Sequence, residues 1–170
     1  MSGTRDYLGN SIAAGAPASL AAVDGFIAGF IGYTPRILEV LPAADADPGH
    51  VLANAYAGWL WMFSESPEGP PQARRYLARA EAHAASAPPR ERLTSALLGR
   101  WIEGDIDGAT GLADEILRVA PRDLAALKLH QYLNFNRGRS TEMLRVALAG
   151  AAAAADVPQV HGMLAFAYEQ

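Results

Sequence analysis

Helix-breaking residues recur along this chain at nearly even spacing, and that spacing limits the possible folds more than any other feature. Breaker clusters stand at Thr34-Pro35, Asp45-Ala46-Asp47-Pro48-Gly49, Ser66-Pro67-Glu68-Gly69-Pro70-Pro71, Ala87-Pro88-Pro89, Gly104-Asp105-Ile106-Asp107-Gly108, Pro121-Arg122-Asp123, Arg137-Gly138-Arg139-Ser140 and Ala155-Asp156-Val157-Pro158. Pro and Gly stop helices, and Pro, Asp or Ser at the start of the next segment restarts them. The segments left between are roughly 12–18 residues long, enough for three to five turns each.

Those segments have a helical period. Val51, Ala55, Trp59 and Met62 share one face, with Leu52, Tyr56, Leu60 and Phe63 beside them. A helix apolar nearly all round is expected to lie between neighbours. Ala73, Leu77, Ala80 and Ala84 form a narrower stripe opposite Arg74, Arg75, Arg79 and Glu81. No segment shows the strict alternation of a half-buried strand. Roughly a fifth of the residues are Ala, the strongest helix former. The expectation is an all-α chain of eight or nine helices.

Composition narrows the function classes. The 170 residues carry 14 basic and 18 acidic side chains and no Cys. Disulfides, thiolate nucleophiles and sulfur-ligated zinc are excluded. A net charge of −4 offers no basic field, so neither nucleic acid nor a membrane is an expected partner. The apolar stretch Ile12–Tyr33 is broken by Pro17, Asp24 and glycines, and falls short of a span of about 20 apolar residues. The polar start Met1-Ser2-Gly3-Thr4-Arg5-Asp6 leads into no secretory core, so a cytoplasmic location is expected. Lys128 is the only lysine.

Helices of this length invite a test for repeats. In Arg90–Pro121, the residues Ala96-Leu97-Leu98-Gly99-Arg100-Trp101, Gly104-Asp105, Ala109, Ala113, Ile116 and Pro121 resemble a tetratricopeptide repeat. Small residues at Ala109 and Ala113 let two helices approach, and Pro121 ends the second. His50–Ser64 with Gln72–Ala87, and Leu124–Arg137 with Thr141–Ala155, read as further pairs. Val157–Gln170 reads as a first helix without its second.

The stretch Pro121-Arg122-Asp123-Leu124-Ala125-Ala126-Leu127-Lys128-Leu129-His130-Gln131-Tyr132-Leu133-Asn134-Phe135-Asn136-Arg137-Gly138 is similar to one found in the tetratricopeptide repeat protein 38-like family. Asp6-Tyr7-Leu8-Gly9-Asn10, Asp45-Ala46-Asp47-Pro48 and the terminal Gly162–Gln170 resemble it too. The resemblance implies one right-handed α-α superhelix of helix hairpins over residues 1–170, corresponding to the N-terminal portion of longer members. It supplies no catalytic residues. Two readings of the C-terminal end follow. The chain is a fragment of a longer array, or a short form whose last helix is covered by a partner.

The chemical candidates are few. His50, His83, His130 and His161 form no His-x3-His pair and no His-Glu-x2-His motif, so no metal or other cofactor is expected. Asp105-Ile106-Asp107-Gly108 begins like a calcium loop, but Ile116 stands where the bidentate Glu belongs, so it reads as a turn. Arg74, Arg75 and Arg79 read as a solvated ridge pairing with Glu81 or Glu68. His130, Asn134 and Arg137 lie at i, i+4 and i+7 and form one polar stripe, with Lys128, Tyr132 and Phe135 on a neighbouring stripe. The repeat resemblance implies that the first helix of each hairpin lines a concave groove.

The expected function is therefore a scaffold module holding a peptide or partner protein in that groove. Its candidate residues are Asn54, Lys128, His130, Gln131, Tyr132, Asn134 and Arg137. The alternative is a small-molecule-binding domain or enzyme with a pocket between helix pairs, using His130, His161 or Tyr132. A third expectation is self-association through Val157–Gln170, whose Val157, Val160, Leu164, Ala167 and Tyr168 would be left uncovered.

Overall fold

The computed structural model describes residues 4–170; Met1, Ser2 and Gly3, read above as part of a polar N-terminus, lie outside them. Among the described residues the chain is all-α. The helices are α1 (Pro17–Gly32), α2 (Val40–Ala46), α3 (Val51–Phe63), α4 (Gly69–Ala84), α5 (Pro89–Ile102), α6 (Ile106–Val119), α7 (Leu124–Phe135), α8 (Ser140–Ala153) and α9 (Pro158–Glu169). A 3-10 turn, Pro35–Glu39, leads into α2.

The breakers act as their chemistry dictates. Proline opens α1, α4, α5 and α9, where its missing N–H leaves no bond unmade. His50, Asp105 and Asp123 cap α3, α6 and α7 by accepting from the N–H of Ala53, Gly108 and Ala126. The Asp105–Gly108 segment is thus a helix start. Gly138 follows α7 with φ 65°, a left-handed conformation that glycine adopts without steric cost.

Consecutive helices pack on one another through the chain, as α3–α4, α5–α6 and α7–α8 hairpins joined at α4–α5, α6–α7 and α8–α9. This is the packing of a helical superhelix. The small residues sit at the closest contacts. A Cβ on Gly150 in α8 would stand 2.1 Å from Leu127 Cδ1 in α7, so a larger residue there would require the Leu127 side chain to shift. One core cluster runs from Leu8 to Met163.

Two features were not expected. Residues before α1 form a strap tied to the helices by charge. Asp6 lies 2.7 Å from Arg90 Nη1, and Arg90 Nε donates to Asp123 at 2.6 Å. All three side chains are buried. Burial opposes the charge on Arg90, but the two carboxylates outweigh it and hold the guanidinium protonated. Arg122 Nε donates to the Leu8 carbonyl, and the Ala13 N–H donates to Glu91 Oε1.

The second feature is the position of α1, which packs on α3 and also reaches α7. Phe26 stacks on Tyr56 with centroids 4.3 Å apart, and Phe30 meets Phe63 at 5.1 Å. Helix α1 therefore covers part of α3 and α7, two of the first helices expected to line an open groove.

The last helix is also more covered than expected. Val157, Val160 and Ala167 are buried, and Leu164 packs with Met143 and Ala147 of α8. Of the five residues expected to be bare, only Tyr168 is strongly exposed. The basic ridge of α4 pairs differently as well. Arg79 bonds Asp45 of α2 at 2.8 Å, and Arg75 bonds Gln72.

Candidate functional site

The candidate residues divide into two groups. Asn54, His130, Gln131 and Asn134 are buried and serve as structural ties. Asn54 Nδ2 donates to the carbonyls of Asp47, Pro48 and His50, closing the turn before α3. Gln131 Nε2 donates to the carbonyls of Met163 at 3.1 Å and Met143 at 3.4 Å, joining α7 to α9 and α8. Asn134 Nδ2 lies 3.1 Å from His130 Nδ1, and His130 Nε2 lies 3.6 Å from Asp114 of α6. Burial holds the imidazole below its ordinary pKa, against the pull of Asp114. Arg137 lies 3.7 Å from Asp107, also on α6. The stripe His130–Asn134–Arg137 thus faces the carboxylates of α6 and no open groove. A polar stripe can be satisfied by a neighbouring helix as well as by water.

The neighbouring stripe has a different surrounding. Lys128, Tyr132 and Phe135 line a cleft of about 910 Å³. Its other walls come from the end of α1 (Phe30, Tyr33), the end of α3 (Phe63, Glu65) and α9 (Gln159, Met163, Phe166). The volume suits a small organic ligand, and the wall composition matches such sites: largely apolar, with a few placed polar groups. Phe63 meets Tyr132 at 4.8 Å, and Phe135 meets Phe166 at 5.4 Å, so two ring pairs form part of the lining.

Two backbone turns build the polar corner of this cleft. Proline disfavours a helical conformation in the residue before it, and Thr34 before Pro35 is extended (φ −116°, ψ 156°). The reversal at the end of α1 must then be made one residue earlier, at Tyr33, which is left-handed with φ 55°. Glu65 makes the equivalent turn ahead of Ser66-Pro67, with φ 48°. These are the only two non-glycine residues with positive φ among those described, and both line the cleft. Such a conformation costs on the order of 1–3 kcal/mol and tends to be kept where a side chain has work to do.

Each turn delivers one partner. The Tyr33 ring lies under Lys128 Nζ at 3.2 Å from its centroid, and the Phe30 ring lies 4.8 Å away. Lys128 donates to the Phe30 carbonyl and has no carboxylate within ion-pair distance among the described residues. Burial lowers its amine to about 8. Glu65 accepts from the Tyr132 hydroxyl. Burial, and then Glu65, raise the Tyr132 phenol above its ordinary value, so it stays protonated. On the α9 wall, the buried Gln159 Oε1 has no hydrogen-bond partner. An orphaned buried acceptor and a half-buried unpaired cation are both groups that a ligand could satisfy.

Elsewhere a smaller cleft of about 420 Å³ lies between the N-terminal strap and α5–α6. Its arginines are already engaged: Arg5 with the Gly9 carbonyl, Arg90 with two carboxylates, and Arg122 with Asp156. No cluster of three potential metal ligands occurs among the described residues. None of the described helices is long and apolar enough to cross a membrane.

No family model, curated protein or solved structure matches this chain.

Sequence reasoning named Lys128, Gln131 and Tyr132 of the cleft and noted Phe135. It missed Phe30, Tyr33, Phe63, Glu65, Gln159 and Phe166. One local signal was present: Tyr33-Thr34-Pro35 and Glu65-Ser66-Pro67 share a pattern that places the turn on the first residue.

Proposed function

We propose that this chain is a ligand-binding helical domain whose aromatic cleft holds a small, largely apolar molecule with a polar head directed to Lys128. The observation that carries the reading is the pairing of an apolar lining with one lysine that has no carboxylate partner. It takes up the pocket reading of the sequence, keeping Tyr132 and setting Lys128 and Glu65 in place of the histidines. An extended peptide along the first helices is the weaker reading, because α1 occupies part of that face. The repeat resemblance fits either reading, since both use the superhelix as a frame.

The test uses 1-anilinonaphthalene-8-sulfonate, an aromatic anion of suitable size, with the whole chain. The expected result is saturable binding at one site. Phe166→Asp places a charge in the apolar wall at a partly exposed position. It is expected to weaken binding at least tenfold, about 1.4 kcal/mol, while the urea midpoint stays close to that of the parent chain. Non-saturable binding, or equal affinity in the variant, would refute the reading.

A further inference from the structure

We propose that Lys128 is a carbonyl-reactive amine, and that the cleft takes an apolar aldehyde which condenses with its Nζ to form an imine. The inference rests on the ligand-binding reading above and adds the chemical class of the ligand.

Lys128 is the only side-chain primary amine in the sequence. It stands in the wall of a cleft large enough for an aromatic aldehyde. It is half-buried beside two aromatic rings and one backbone carbonyl, with no carboxylate within ion-pair distance among the described residues. Burial costs an ammonium in such a place solvation that one carbonyl and two ring faces replace only in part. With its amine near 8, a substantial fraction is neutral at physiological pH and carries the lone pair that attacks a carbonyl. An ordinary lysine, at about 10.4, has almost none.

Tyr132 lies four residues on, one turn along the same face of α7. It is held protonated, donates to Glu65 and shares the cleft wall with Lys128, where the proposed step uses it as the acid. The step balances without an oxidant or reductant. The Nζ lone pair forms the C–N bond, and the carbonyl π pair moves to oxygen. Tyr132 gives a proton to that oxygen and recovers one from nitrogen. The hydroxyl then leaves as water while the C=N bond forms, so both N–H protons depart with the carbonyl oxygen.

The experiment treats the full chain with 2-naphthaldehyde and cyanoborohydride at pH 7.5, which reduces any imine to a stable secondary amine. Peptide mass mapping then separates Lys128 from the α-amine. Lys128 is expected to be modified at least tenfold faster in the folded chain than in guanidinium, and Phe166→Asp is expected to remove most of that advantage. Tyr132→Phe should slow the modification measured at saturating aldehyde, where a change in affinity has no effect on the rate. An unchanged rate in that variant would overturn the role given to Tyr132. Saturable dye binding with Lys128 reacting no faster than in guanidinium would overturn the imine proposal and leave the binding site standing. Absence of both would overturn both.

Discussion

A half-buried lysine without a carboxylate has an energetic cost that depends on pH, and this makes Lys128 testable by itself. Its amine is lowered to about 8 in the folded chain, against about 10.4 for an unfolded lysine. Between those values the unfolded chain binds more protons, so stability rises with pH there. Below about 8 both states are protonated and the cost is constant. Lys128→Met removes the titration. The stability of the variant relative to the parent chain is therefore expected to be highest at pH 7 and to decline by pH 9.5, read from urea midpoints. A difference that does not change with pH would contradict the burial of this amine. At this scale the sequence was only partly legible. Lys128 was conspicuous as the single lysine, yet nothing local shows that it meets Phe30, 98 residues away. His130, Asn134 and Arg137 formed a visible stripe, but a stripe does not reveal whether it faces water or the carboxylates Asp107 and Asp114 of α6.

The helices themselves were legible because their ends are encoded locally. Asp105, Asp123 and the helix-opening prolines act within a few residues of where they stand. The contacts between non-consecutive helices were not, since they depend on how the superhelix curves. Helix α1 meeting α7, and α7 meeting α9, are of that kind. Gln131 is the polar tie at the C-terminal end, donating to carbonyls of both α8 and α9. Gln131→Leu removes those bonds and keeps a similar volume. It is expected to cost about 1 kcal/mol, and to raise amide exchange in α9 roughly fivefold while α3 to α5 keep their protection. Equal loosening throughout would mean that Gln131 supports the whole core and not the local junction.

Across the whole molecule, the strap, α1 and the superhelix act together to leave one aromatic cleft. The strap is pinned by Arg90 between Asp6 and Asp123, and α1 is pinned by stacking of Phe26 on Tyr56. The ends of α1 and α3 then reach the cleft at Tyr33 and Glu65, where two left-handed turns present a ring to Lys128 and a carboxylate to Tyr132. The central claim is that this cleft binds an apolar ligand, and its location can be read directly. Met163 lines the cleft, whereas Met62 and Met143 do not. With 13C-methyl methionine, titration of the chain with 1-anilinonaphthalene-8-sulfonate is expected to shift the Met163 methyl resonance saturably and Met62 and Met143 much less. No saturable shift at Met163, or equal shifts at all the methionines, would contradict the account.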